Sequence, residues 1–241
     1  MKLTSGVKRL DALLDGGIPG GSAVLVYGPP FLGKETLAHR FFLANLAQGV
    51  PGVMVLTNQA TGDFRTALTG LDPAYLQQEK KGLAKYVDTY SRSIGADGSI
   101  PNAEFLDGAL DLNGISLAVN KSQRDFIGTH DQNVLVLDSV STLIAYSNPQ
   151  TAFRFLQTLI GRIRRVGATA MFLMDHGMHP EADVQMFKHL MTGVIELKDG
   201  GGKPQIKVEG LGAPAGQGWV EYKFSDTEFD ITGSFAAGRI R

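Results

Sequence analysis

The stretch Gly28-Pro29-Pro30-Phe31-Leu32-Gly33-Lys34-Glu35-Thr36 carries the glycine and lysine spacing of a loop that cradles phosphates. In such a loop the backbone amides of residues 33 to 36 point at phosphate oxygens from a helix N-terminus, and Lys34 reaches the outer phosphates. One position departs from the pattern. Glu35 stands where a serine or threonine hydroxyl normally holds magnesium. Chance alone would produce this spacing about 0.2 times in a chain of this length and glycine content, so the flanking elements must decide. They agree with the chemistry: "SAVLVYG" reads as a strand running into the loop. "KETLAHRFFLANLAQG" leaves it as a helix with Leu37, Phe41 and Ala44 on one face. The bland alternative is an ordinary strand-to-helix turn.

A second carboxylate belongs with this loop. "VLVLD" ends in Asp138 at the carboxyl end of a predicted strand, where an aspartate can hold the magnesium shell of a bound nucleotide. Magnesium held through the nucleotide would then draw on Glu35, Thr36 and Asp138.

These groups must be positioned by the repeating elements around them. Short apolar runs at 22–28, 52–57, 84–90, 133–140 and 168–175 alternate with helical patterns, the rhythm of βαβ units around a buried parallel sheet. Phe153, Leu156, Ile160 and Ile163 form an apolar stripe on a helix that should lie against that sheet. After Gly193, two extended runs joined by "KDGGGKP" and a third at "WVEYKFS" predict an antiparallel extension. The segment 91–104, rich in Gly, Ser and Asn, reads as a mobile surface loop.

The expected fold class is therefore α/β, in one domain spanning 1–241. A net charge of -1 gives no global attraction to nucleic acid or an anionic membrane, and the absence of cysteine excludes disulfides and thiolate chemistry. No apolar run approaches the length needed to span a bilayer, which leads to the expectation of a cytoplasmic protein.

The stretch "TSGVKRLDALLDGGIPGGSAVLVYGPP" (4–30), with "VLVLDSVSTLI" (134–144) and "LMTGVIELK" (190–198), resembles the KaiC-like branch of the RecA superfamily. The resemblance covers nearly the whole domain, and its lead-in is the most specific part. It implies a RecA-like P-loop sandwich, ATP or ADP as cofactor with magnesium possible, and copies of itself or a related protein as partner.

Departures from the family pattern fall at catalytic positions. Phe31 replaces a usual glycine, and Glu35 replaces the magnesium-binding hydroxyl. Where the family carries paired glutamates as general base, this chain reads Thr57-Asn58-Gln59-Ala60. Where relatives carry Lys-x-Arg toward a neighbour's phosphate, Lys207 is kept but Glu209 takes the arginine position.

Neither Asn58 nor Gln59 accepts a proton near neutral pH, and a positioned base is worth about 10² to 10⁴ in rate. Gln59 can at best orient water, and a lost arginine removes about 10³ more. Glu35 has two readings: a magnesium ligand, or a partner that pairs with Lys34 and holds an empty loop shut.

Other clusters carry less. His176, His179, Glu181 and Asp183 invite a metal reading, but Pro180 and the acids suit the first turn of a helix. Asp175 and His176 are candidate nucleotide sensors. Arg162, Arg164 and Arg165 read as a solvated helix face rather than a DNA contact, and Lys80-Lys81 with Glu79 as surface. The expected function is a nucleotide-responsive regulatory or assembly protein with weak or absent hydrolysis. A slow ATPase using Gln59 and a recombination-type DNA-binding paralogue are the alternatives.

Overall fold

Strict alternation along the central strands builds two cores, one on each face of a sheet. Val24 and Val26 pack into one, while Ala23, Leu25 and Tyr27 of the same strand pack into the other. In the computed structural model the residues described are 1–96, 98–214 and 217–233.

The strands are β1 (Lys2–Leu3), β2 (Ile18–Pro19), β3 (Ala23–Gly28), β4 (Gly52–Leu56), β5 (Ala84–Asp88), β6 (Ala103–Phe105), β7 (Val134–Leu137), β8 (Thr169–Asp175), β9 (Gly193–Asp199), β10 (Pro204–Gly210), β11 (Val220–Phe224) and β12 (Phe229–Ile231). The helices are α1 (Lys8–Leu13), α2 (Lys34–Ala47), α3 (Thr61–Leu71), α4 (Tyr75–Lys80), α5 (Leu112–Arg124), α6 (Val140–Tyr146), α7 (Pro149–Arg165) and α8 (Glu181–Leu190). A ten-stranded sheet runs in the order β12-β11-β10-β9-β3-β8-β7-β4-β5-β6. From β9 to β6 every neighbouring pair is parallel. From β9 to β12 every pair is antiparallel. The α/β class with a parallel centre and an antiparallel C-terminal extension is thus the observed architecture.

Local chemistry sets the helix starts. Asn148 caps α7, accepting from the Thr151 amide at 2.9 Å, with Pro149 in the first turn where no amide hydrogen is needed. Ser139 caps α6, and Asp111 caps α5. The lead-in folds onto α2. Asp11 accepts from the Thr4 hydroxyl at 2.6 Å and the Ser5 amide at 2.7 Å. Gly6, at φ 80°, approaches α2 so closely that a Cβ would lie 2.4 Å from the Arg40 carbonyl oxygen. Arg9 then reaches across to the Ile231 carbonyl at 2.8 Å, tying the lead-in to β12.

Two expectations need correction. The segment 91–104 is partly ordered by its own hydrogen bonds: residues 91–94 form a 3-10 turn, and β6 pairs in parallel with β5. The buried Asp88 carboxylate organises it, accepting from the Tyr90 and Ser91 amides and the Ser91 hydroxyl. Asp97 of that segment lies outside the described residues. Glu79 is not a surface group. Its carboxylate is buried against Arg65 Nε and Nη2, each at 2.6 Å, and accepts from Tyr86 at 2.7 Å, whereas Lys80 and Lys81 are exposed as expected. Among the described residues no helix is long and apolar enough to cross a membrane.

Candidate functional site

The parallel register gathers the chemistry at one end of the sheet. Gly28 at the end of β3 is paired with Asp175 at the end of β8, and β4 and β7 end side by side one position short of Thr57 and Asp138. Crevices at the carboxyl ends of parallel strands are where ligands bind in open α/β sheets.

Between β3 and α2 the loop turns through positive φ at Phe31 (62°) and Gly33 (80°). Phe31 keeps the left-handed conformation that a glycine would adopt freely, and the residue is 91% exposed. Helix α2 starts at Lys34 without any side chain capping it, so its first-turn amides and the positive end of its dipole face the loop. Pro30 and Glu35 are exposed, while Gly28, Gly33, Lys34 and Thr36 are buried, and Pro29 and Leu32 lie between.

Lys34 is the central cation. Its Nζ lies 2.7 Å from Asp175 Oδ1 and 2.8 Å from Glu35 Oε1, with the lysine side chain only 4% exposed. Burial alone would lower its pKa, but the hydrogen bonds to Asp175 and Glu35 outweigh it and hold the ammonium charged. Of the two readings for Glu35, pairing with Lys34 is the arrangement found. Asp175, a sensor candidate from sequence, is the second partner. The His176 ring centroid lies 5.2 Å from that of Tyr27, and its amide donates to the Gly28 carbonyl at 3.0 Å.

Asp138 faces the end of β4. Its Oδ1 accepts from the Thr57 amide at 2.8 Å and the Thr57 hydroxyl at 2.7 Å, while Oδ2 is buried without a hydrogen-bond partner. Burial pushes its pKa up to about 6, against the pull of Thr57, the Asn58 amide and the Gln59 side chain. Asn58 and Gln59 therefore lie beside Asp138, near enough to favour its charge but outside hydrogen-bonding geometry with Oδ2. An orphaned carboxylate oxygen in this position suits the hydrated shell of a magnesium-nucleotide.

Three contacts from β11 and the residue after it were not foreseen from sequence. Tyr222 donates its hydroxyl to the Leu32 carbonyl at 2.5 Å, and the Thr36 hydroxyl donates to the Ser225 carbonyl at 3.1 Å. The Phe224 ring covers Gly33, where a Cβ would come within 2.7 Å of ring carbons. Alternation of Tyr222 and Phe224 on one face of "VEYKF" was the available signal, but nothing local says which loop that face meets.

The remaining candidates are placed elsewhere. Lys207 on β10 stands opposite Glu196 and pairs with Glu209, and among the described residues no hydrogen bond or ion pair joins it to the phosphate loop. His179 meets the Ser141 hydroxyl at 2.9 Å, and Glu181 and Asp183 occupy the first turn of α8. Among the described residues no group of three or more His, Asp or Glu side chains is arranged to hold a metal.

A family model described as the KaiC ATPase matches residues 3–204. A UPF0273 protein of Methanopyrus kandleri is 26% identical over 199 residues, covering 81% of this chain and 76% of that protein. A UPF0273 protein of Pyrobaculum aerophilum is 30% identical over 197 residues, covering 81% and 68% respectively. Among solved structures, a KaiC-like protein from Pyrococcus horikoshii OT3 matches with a TM-score of 0.74 at 17% identity, covering 96% of this chain and 98% of that one. That likeness is one of fold.

Proposed function

The chain belongs to the KaiC ATPase family of RecA-like ATP-binding proteins, and from that premise we propose that it binds ATP as a regulatory or assembly signal with little or no hydrolysis. One observation carries the reading. Lys34 is a buried, charged ammonium at the mouth of an uncapped helix, held by two carboxylates that an entering phosphate would replace.

Each group then has a role in binding. Amides at the start of α2 and Lys34 would take the phosphates, and Asp138 Oδ2 would hold the hydrated metal. Glu35, half exposed and freed from Lys34, would supply a further carboxylate oxygen to that metal. Without metal, Glu35 stays as a negative charge beside the phosphates. At about 4 Å and an effective dielectric of about 20 this repulsion is roughly 4 kcal/mol. Binding is accordingly linked to magnesium.

Turnover is the weak step. Asn58 is exposed and Gln59 half buried beside Asp138, and neither amide can take a proton from water. Glu209, in place of an arginine, pairs with Lys207 and neutralises the cation expected to act on a neighbour. A second reading, a slow ATPase, draws on Gln59 standing beside Asp138, where it would orient water.

Calorimetric titration of ATP with and without magnesium, on the natural protein and Lys34→Ala, tests the proposal. Magnesium-dependent binding weakened about tenfold or more by Lys34→Ala is expected. Equal affinity in the two proteins would overturn it.

A further inference from the structure

Helices α5 and α7 lie on the face of the sheet opposite α2, and a groove runs between them. It consists of two hollows of about 570 and 350 Å³ that share Arg162 as a common wall. Arg162 bridges the helices through a hydrogen bond to the Ser116 hydroxyl. The first hollow is lined by Leu117, Phe155 and Arg154, the second by Ile127, Arg124 and Arg165.

Two features separate this groove from an ordinary solvated surface. Its apolar residues are displayed: Leu117 is 69% exposed and Ile127 is 59% exposed. Its charge is of one sign, because among the described residues no carboxylate lines either hollow. The guanidinium groups of Arg124, Arg154 and Arg165 have no ion pair or hydrogen bond among the described residues, and the nearby Asp125 is engaged by Lys85. In a chain of net charge -1, such a run of unpaired arginines is a local arrangement.

The helix period puts Arg154, Arg162 and Arg165 on one side of α7. Arg154 and Arg165 are separated along it by roughly 16 Å, about three helical turns. Exposed aliphatic side chains between unpaired guanidinium groups make a surface for a segment that has leucine-like side chains on one face and carboxylates at its margins.

We infer that the α5–α7 groove is a docking surface for an acidic amphipathic helix of a partner protein. Charge complementarity selects that occupant over nucleic acid. A single strand would need exposed aromatic platforms for its bases, and here the lining offers only the half-buried Phe155 among aliphatic and polar side chains. The site lies apart from Lys34 and Asp138, so it stands whether or not the nucleotide reading does.

The test uses fluorescence anisotropy with a labelled synthetic peptide of about four helical turns, leucine at i, i+3, i+4 and i+7 and glutamate elsewhere. At low salt, a Kd on the order of 10 µM is expected, with no binding of the same peptide carrying lysine for glutamate. Arg154→Glu with Arg165→Glu, and separately Leu117→Glu, should each weaken binding about tenfold or more at unchanged thermal melting, since all three side chains are exposed. Failure of the acidic peptide to bind, or binding indifferent to these substitutions, overturns the inference. So does a mixed-sequence oligonucleotide that binds more tightly through the same arginines. Sedimentation showing that a second copy of this chain fills the groove, with dimers abolished by Leu117→Glu, overturns it as well.

Discussion

Lys34 Nζ lies 2.7 Å from Asp175 Oδ1, so the cation of the phosphate loop is paired across the sheet with the end of β8 before any nucleotide arrives. An incoming phosphate must displace that carboxylate or tolerate it. Asp175→Asn should therefore tighten ATP binding, by about tenfold, because the neutral amide no longer competes for the ammonium or repels phosphate. Titration calorimetry reads the change. Weaker binding in this variant would mean that Asp175 orders the loop for nucleotide rather than closing it.

Asp138 sets the pH dependence. Its folded pKa is raised from 3.8 to about 6 by burial, so below that pH the carboxylate is protonated and cannot hold a hydrated metal. Magnesium-dependent affinity should fall about tenfold between about pH 7 and about pH 5, while Asp138→Asn binds weakly and without that slope. The same shift acts on stability with a definite sign. A raised folded pKa contributes stability that is fully present below 3.8 and is lost as pH rises through about 6. Denaturant titrations of Asp138→Asn should lack this decline.

Gly33 and Phe224 are coupled by contact. Gly33→Ala puts a Cβ into the Phe224 ring at φ 80°, a strained conformation for alanine, and should destabilise the fold by about 2–3 kcal/mol. Combining it with Phe224→Ala removes the clash but not the strain, so the double variant should lose about 1 kcal/mol less than the sum of the singles. Chemical denaturation of the four proteins measures this. Strict additivity would show that β11 does not press on the loop.

Most of the scaffold was legible in the sequence because its signals are local. Alternating strands, the Gly33-Lys34 spacing and Asp138 at a strand end all declare themselves within a few residues. The sheet class, with its antiparallel C-terminal extension, follows from the same patterns. What was hidden depends on contacts between distant segments. Glu79 reads as surface beside Lys80 and Lys81, yet Arg65 from α3 and Tyr86 from β5 close around it, beside Tyr75 of its own helix. Likewise Tyr222, Phe224 and Ser225 reach Leu32, Gly33 and Thr36 only once β11 has taken its place between β10 and β12.

Self-association belongs to the proposed reading, in which Lys207, with no hydrogen bond or ion pair to the phosphate loop of its own chain among the described residues, would act on a neighbour. Sedimentation should show a species heavier than 25.8 kDa that responds to ATP. Persistence as a monomer at tens of micromolar, with and without nucleotide, would remove the assembly role.

The most direct measurement of the central claim follows the fate of bound nucleotide. The protein is mixed with magnesium and ATP labelled in the γ-phosphate, isolated rapidly, quenched and separated by chromatography, beside the Gln59→Glu/Glu35→Thr double variant. The expected result is ATP retained intact on the natural protein, with phosphate release raised in the double variant, since catalytic groups act as a unit. Bound ADP with phosphate released from the natural protein at about one per second, within the ordinary enzyme range, would contradict the claim, and so would the absence of any bound nucleotide.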